Sequence, residues 1–133
     1  MSARILLVDD NTELRSVLRL ILVCAGHAVS DAANGRQALK QIAEKAFDLV
    51  VTDLLMPEMD GLETIFAIHR AHPCLPIIAM SGGGMGSAHT YLNAARLGGA
   101  GRILEKPFAN SELLRAVDEL LCTSACAQPV TPS

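Results

Sequence analysis

The chain has 133 residues, 50% of them apolar, which is enough for one domain with a sizeable buried core. Its 11 basic and 14 acidic side chains give a net charge of -3, which argues against the basic surface that nucleic-acid binding uses. The apolar runs are too short to span a membrane, the N-terminus is unlike a signal peptide, and the four cysteines lack a CxxC spacing. We therefore expect a cytoplasmic protein with reduced thiols that contacts neither nucleic acid nor a membrane.

The first predicted strand, residues 4–8, is a short apolar run that ends at Asp9 and Asp10. A helix follows it, because apolar side chains recur at the i, i+3, i+4 spacing of one helix face. Asn11 or Asp10 can cap the start of this helix, and Gly26 ends it. The apolar positions of the helix are Leu14, Val17, Leu18, Ile21 and Leu22.

The same alternation of strand and helix continues along the chain. The third predicted strand, residues 47–52, is continuously apolar at its centre, as expected for a strand buried on both faces. Asn34 and Gly35 indicate a turn before the second helix, and Asn110 or Ser111 can cap a last helix. The remaining predicted strands are residues 28–32, 77–80 and 102–104, and the remaining helices are residues 36–45, 62–72, 87–97 and a last one to about residue 121.

Five strand–helix pairs joined by short loops predict an α/β fold. The arrangement that fits is flavodoxin-like and doubly wound, with a five-stranded parallel sheet in the order 2-1-3-4-5 and five helices on both faces. We expect one domain over residues 1–122 and a flexible tail over residues 123–133, which are small, polar and proline-containing. Ligands of such a sheet bind outside the carboxyl ends of the strands, between strands 1 and 3.

Three carboxylates are predicted to meet at that point of the sheet. Asp9 and Asp10 follow the first strand, and Asp53 follows the third. Because three adjacent carboxylates repel one another, we expect a compensating cation. Oxygen ligands match Mg²⁺, with Mn²⁺ as a second possibility, and a hard divalent ion suits phosphoryl transfer to a nucleophilic aspartate.

Two more polar residues fall at the same edge. Ser81 ends the fourth strand, where its hydroxyl can donate to a phosphoryl oxygen, and Lys106 follows the fifth strand with a mobile positive charge. A cis peptide bond between Lys106 and Pro107 would fix the direction of the lysine.

Together these residues resemble the receiver domain of response regulators in two-component signalling systems, the CheY-like family. The resemblance extends over residues 3–121 and implies a phosphoprotein of a phosphorelay. It rests on Asp9 and Asp10, on the segment DLLMPEMDG at residues 53–61, on Ser81, and on Lys106, Pro107 and Phe108.

The resemblance implies a role for each acidic residue. Asp53 would accept the phosphoryl group. Asp10 would bind Mg²⁺ directly, Asp9 would bind it through water, and the backbone carbonyl of Leu55 would be a further ligand. The phosphoryl donor would be a phosphohistidine of a sensor histidine kinase or of a histidine phosphotransfer protein.

The resemblance also implies how the phosphorylated state is stabilised and how a partner binds it. Ser81 would move to the phosphoryl group, and Lys106 would pair first with Asp53 and then with the phosphate. The fourth predicted helix, the fifth strand and the last helix would form the face that binds a still unknown downstream protein. We expect a free-standing regulator without an output domain, monomeric or a weak phosphorylation-dependent dimer. Such a protein is not an enzyme in the usual sense, because it catalyses only its own phosphorylation and dephosphorylation.

The chain departs from the family pattern at one switch position. Many receivers carry an aromatic residue three positions before the lysine, where this chain has Ile103. Ile103 is therefore expected to be a strand residue packed on the fourth or fifth helix, and activation would travel through loop and helix shifts that Gly82 permits. Leu55 and Gly83 cannot orient an attacking water, which favours a phosphorylated state that is not unusually short-lived.

Other interpretations of the same residues stay open at this point. Taken singly, Asp9 and Asp10 could be helix-capping residues and Lys106 a solvated charge. A phosphatase with an aspartate nucleophile would need a second aspartate where the chain has Leu55. A flavin-binding protein of related topology would need a phosphate-cradling loop where the chain has two acidic residues.

Overall fold

The computed structural model of the chain describes residues 3–53, 61–81, 101–105 and 108–122. The described residues form five parallel strands and four helices. The strands are β1 (Arg4–Val8), β2 (Ala28–Ala32), β3 (Leu49–Asp53), β4 (Ile77–Ser81) and β5 (Arg102–Glu105). The helices are α1 (Thr12–Cys24), α2 (Gly35–Glu44), α3 (Gly61–Ala71) and α4 (Asn110–Cys122).

The five strands form one parallel sheet in the order β2-β1-β3-β4-β5, which confirms the predicted doubly wound topology. The chain order reverses between β1 and β3, at the centre of the sheet. The fourth predicted helix, residues 87–97, and the predicted tail, residues 123–133, lie outside the described residues. None of the described helices has the length and apolar character needed to cross a lipid bilayer.

The core lies on both faces of the sheet because β1, β3 and β4 carry apolar side chains on both sides. Alternate residues of each strand point to opposite faces. One face packs against α2 and α3, and its buried side chains include Leu6, Val8, Val50, Ile65, Ile68 and Ile77. The other face packs against α1 and α4, and its buried side chains include Ile5, Leu7, Leu18, Leu22, Val51, Leu113 and Val117.

Both ends of α1 are capped as the sequence predicts. The side chain of Asn11 accepts a hydrogen bond from the backbone N–H of Leu14, and Gly26 adopts a φ of 100° directly after the helix. The backbone N–H groups of Gly26 and His27 donate to the carbonyls of Val23 and Leu22, at 2.9 and 3.2 Å. This is a Schellman end, which places its left-handed residue where only glycine is unstrained.

Two local predictions differ from the structure in the first half of the chain. Asn34 and Gly35 do not form a separate turn, because Asn34 caps α2 by accepting from the backbone N–H of Gln37 and Gly35 is the first helical residue. Val17 does not join the core, since 54% of its surface is exposed. Leu18 and Leu22 make the buried face of α1 instead.

The start of α4 also differs from the prediction. The cap by Asn110 or Ser111 is wrong, because the helix begins at Asn110 and the residue in the cap position is Ala109. The carbonyl of Ala109 accepts from the N–H groups of Glu112 and Leu113. The side chain of Glu112 reaches back and accepts from the backbone N–H of Ala109 at 2.8 Å. Half of a capping box therefore replaces the expected polar cap.

Candidate metal and phosphoacceptor site

The register of β1 and β3 sets the two acidic strand ends side by side. Val8 is paired with Thr52, so Asp9, which directly follows β1, and Asp53, the last residue of β3, stand at the same height. Leu7 and Val51 point to the face that α1 covers, and Asp9 and Asp53 follow them by two residues. The alternation of side chains thus directs both carboxylates to one face.

The structure brings Asp9, Asp10 and Asp53 together, as the sequence predicts. One carboxylate oxygen from each of the three lies within 4.8 Å of the other two. Asp9 is completely buried, Asp53 is 7% exposed, and Asp10 is exposed to solvent. The cluster is therefore open on the side of Asp10, where a ligand from solution can enter.

The turn from β1 into α1 holds the carboxylate of Asp9. The backbone N–H of Asn11 donates to Asp9 Oδ1 at 2.9 Å, and the backbone N–H of Asp9 donates to the carbonyl of Ala32 at 3.1 Å. The first bond comes from the N-terminal end of α1, where backbone N–H groups favour negative charge. The short turn thus holds the buried carboxylate of Asp9 through a main-chain donor.

Two contributors to this geometry were not found from the sequence. The guanidinium of Arg15 donates from Nη1 to the backbone carbonyl of Asp9 at 2.6 Å. The hydroxyl of Thr52 donates to the backbone carbonyl of Asp53 at 3.1 Å. Both bonds are to main-chain atoms, and no sequence pattern specifies them.

Only some of the other predicted site residues lie among the described residues. Ser81 is the last residue of β4, is 1% exposed, and lies one register step beyond Met80, the partner of Asp53. Leu55, Gly82, Lys106 and Pro107 lie outside the described residues. The strand that precedes the lysine is described, and its last residue, Glu105, is paired with Ser81.

Ile103 is a half-buried residue of β5, as expected for a strand position. It packs against the apolar cluster on the α2 and α3 face of the sheet. Of the two helices expected to pack on it, the last one does not, because α4 covers the opposite face, and the fourth predicted helix, residues 87–97, lies outside the described residues. Strand alternation causes this difference, since Leu104 is the β5 residue that points to α4.

The chemistry of the donor set fits Mg²⁺. Asp9, Asp10 and Asp53 offer oxygen atoms and no nitrogen or sulfur, and two of the three are buried. Hard divalent cations with retained waters prefer such ligands, and a partly open cluster leaves room for those waters. These three carboxylates are the residues that would hold the ion.

The sequence of the chain matches the family model described as "Response regulator receiver domain" over residues 5–118. The chain belongs to this receiver-domain family. The match covers all nine described strands and helices apart from the first residue of β1 and the end of α4. Domains of this family generally bind Mg²⁺ and interact with phosphodonor kinases.

Other receiver domains agree with this assignment in sequence and in fold. The chain is 35% identical over 121 residues to the chemotaxis protein CheY of Thermotoga maritima, covering 90% of this chain and 98% of that protein. A CheY-like receiver domain from Methanospirillum hungatei superposes with a TM-score of 0.84 at 29% identity, covering 96% of this chain and all of that one.

Longer relatives contain a receiver domain as one part. The transcriptional regulatory protein ZraR of Klebsiella oxytoca is 36% identical to this receiver domain over 128 residues. The match covers 96% of this chain but 28% of ZraR. The chain thus spans about a quarter of the length of several curated relatives that it matches.

Proposed function

We propose that the chain is a response regulator that accepts a phosphoryl group on Asp53. The observation that supports this most directly is the position of Asp53 at the carboxyl end of a central strand, beside Asp9 and Asp10. An aspartate nucleophile and two further acidic ligands are the parts that metal-assisted phosphoryl transfer to a carboxylate needs.

In the proposed reaction a carboxylate oxygen of Asp53 attacks the phosphorus of a phosphohistidine. The new P–O bond forms as the P–N bond breaks, and the electron pair of the P–N bond stays on the imidazole nitrogen, which takes up a proton. The hydrogen bond from Thr52 to the Asp53 carbonyl holds the backbone of the nucleophile. Mg²⁺ bound by the three carboxylates would neutralise charge on the phosphoryl oxygens.

The remaining roles follow the family pattern and are part of the proposal. Asp10 would contact the ion directly and Asp9 through water, with the carbonyl of Leu55 as a further ligand. Ser81 and Lys106 would bind the phosphoryl group after transfer. The buried position of Ser81 at the end of β4 supports its part, because β4 is paired with β3, the strand that ends at Asp53.

The proposed biological role is that of a cytoplasmic response regulator. Its donor would be a sensor histidine kinase or a histidine phosphotransfer protein, and its output would be a protein surface that includes β5 and α4. We propose that it turns over no separate substrate, binds no nucleic acid and acts as a monomer or a weak phosphorylation-dependent dimer. Activation would proceed without an aromatic relay, because Ile103 stands at that position.

The test is labelling with a small phosphodonor such as radiolabelled acetyl phosphate, with and without Mg²⁺. We expect Mg²⁺-dependent labelling of the wild type and none of Asp53→Asn. Asp118→Asn is the matched control, since Asp118 is an exposed aspartate on α4 and its replacement changes the charge equally. Labelled peptide mapping then identifies the modified residue.

Two results would contradict the proposal. One is a wild-type chain that takes up no label at saturating Mg²⁺, and the other is equal labelling of the wild type and Asp53→Asn. Steady turnover of a phosphomonoester such as p-nitrophenyl phosphate would point to a phosphatase instead.

A further inference from the structure

The guanidinium of Arg15 joins the ends of two neighbouring strands. Its Nη1 atom donates to the backbone carbonyl of Asp9 at 2.6 Å, and its Nε atom lies 3.4 Å from Asp31 Oδ2. Arg15 is on the first turns of α1, Asp9 follows β1, and Asp31 is in β2. Only 16% of the Arg15 side chain is exposed, although it is charged, so packing holds it in this place.

Asp31, which accepts from Arg15, is itself held by a hydrogen bond from α2. The side-chain amide of Gln41, on α2, donates to the backbone carbonyl of Asp31 at 2.8 Å. Asp31 therefore accepts from one helix through its main chain and from another through its side chain. A continuous set of hydrogen bonds runs from α2 through Asp31 and Arg15 to the carbonyl of Asp9.

The carbonyl that Arg15 binds belongs to the peptide unit between Asp9 and Asp10. This unit is planar, so fixing its oxygen fixes the backbone of both acidic residues at once. On the Asp9 side, the bond from the backbone N–H of Asp9 to the carbonyl of Ala32 also constrains this peptide unit. Arg15 thus holds the backbone that carries two of the three carboxylates in the candidate metal site.

We propose that Arg15 is a positioning residue that raises the affinity of the site for Mg²⁺ by holding the Asp9–Asp10 peptide unit. The inference rests on the proposed function, because it assigns Mg²⁺ to the three carboxylates. Residues that orient metal ligands from outside typically change metal affinity by about 10- to 100-fold when replaced. Arg15 acts through the main chain of Asp9 and does not touch the phosphoryl group.

A simple charge effect would have the opposite sign. Arg15 is a cation near the candidate site, so electrostatics alone would make Mg²⁺ bind more tightly after the positive charge is removed. Positioning predicts weaker binding after the same change. The direction of the shift therefore separates the two explanations.

The test measures Mn²⁺ binding by electron paramagnetic resonance, with Mg²⁺ competition, on the full chain. The variants are Arg15→Gln, Arg15→Lys and the control Arg19→Gln, which removes an exposed cation one turn further along α1. We expect Arg15→Gln to weaken Mg²⁺ binding by about tenfold or more. Arg15→Lys keeps the charge but loses the planar fork that spans Asp9 and Asp31, so its affinity should fall as well, by a smaller factor. Arg19→Gln should bind like the wild type.

The labelling reaction supplies a second readout. In Arg15→Gln the Mg²⁺ concentration for half-maximal labelling should rise, while the labelling rate at saturating Mg²⁺ stays close to that of the wild type. Binding that is tighter than wild type, or equal to that of Arg19→Gln, would overturn the inference and leave phosphorylation of Asp53 intact. A wild type that binds no ion and takes up no label would overturn both. Arg15→Lys preserves charge and bulk and serves as the test if Arg15→Gln does not fold. Weaker Mg²⁺ binding than the wild type then supports the inference, and unchanged binding overturns it.

Discussion

The backbone N–H of Ala3 donates a hydrogen bond to Nδ1 of His27, at 3.1 Å, in the interior of the protein. His27 is 6% exposed and directly follows the glycine that ends α1. Its ring thus ties the residue before β1 to the residue before β2. No role for this histidine could be predicted, because an isolated histidine belongs to no sequence pattern.

Replacing His27 with leucine should lower the free energy of unfolding by about 1–3 kcal/mol, because it leaves the buried N–H of Ala3 without its acceptor. Urea unfolding followed by circular dichroism measures the change. His72→Leu is the control, since His72 is exposed at the end of α3. Equal stability of the two variants would show that the Ala3 bond contributes nothing.

Leu22 and Leu20 on α1 form a second matched pair. Leu22 is completely buried against the sheet, whereas 63% of Leu20 is exposed. Leu22→Ala should cost about 2–5 kcal/mol of unfolding free energy through the lost transfer energy and the cavity left behind. Leu20→Ala should stay within about 0.5 kcal/mol of the wild type. A comparable loss of stability in both variants would contradict this orientation of α1.

The two helix starts that carry asparagine should respond differently to the same substitution. Asn11→Ala removes the cap of α1 and should cost about 1 kcal/mol. Asn110→Ala should cost less than about 0.5 kcal/mol, because Asn110 is already inside α4 and Ala109 occupies its cap position. Thermal and urea unfolding of both variants checks this. A larger loss of unfolding free energy for Asn110→Ala would show that Asn110 does cap α4.

Mg²⁺ should stabilise the folded chain through the three carboxylates. At roughly 100 times its dissociation constant, an ion that binds only the folded state adds about 2.7 kcal/mol to the free energy of unfolding. Asp10→Asn should lose most of this gain, yet be more stable than the wild type in EDTA, because one of three mutually repelling charges is gone. Asp118→Asn should keep the full gain. If Mg²⁺ stabilised Asp10→Asn as much as the wild type, the stabilising ion would not be bound by these three carboxylates.

The sheet and the acidic cluster were predictable because both follow from simple periodicities. Strand-length apolar runs alternating with helical patterns leave few topologies, and the reversal point of the sheet then selects the strand ends that carry Asp9 and Asp53. The structure confirms the strand order and the meeting of the three carboxylates. The parts of the prediction that concern Lys106 and Leu55 remain predictions.

The details that the sequence did not predict depend on which side of an element faces the sheet. Apolar residues cover more than half of the circumference of α1, so periodicity could not exclude Val17 from the core, and it is exposed together with Leu20 and Val23. The bond from Arg15 to Asp9 depends on a long side chain reaching a main-chain atom. Ile103 and Leu104 differ only in the direction that one strand residue points.

Strand β2 stands at the outer edge of the sheet, with Ser30 and Asp31 among its residues. The free edge of a sheet can recruit a strand of another molecule, and charged side chains at the edge discourage this pairing. Asp31, 43% exposed, is a charged edge residue of this kind, and it also accepts the guanidinium of Arg15. We therefore expect a substitution of Asp31 to change both the solubility of the chain and, if Arg15 positions the proposed metal ligands, its affinity for Mg²⁺.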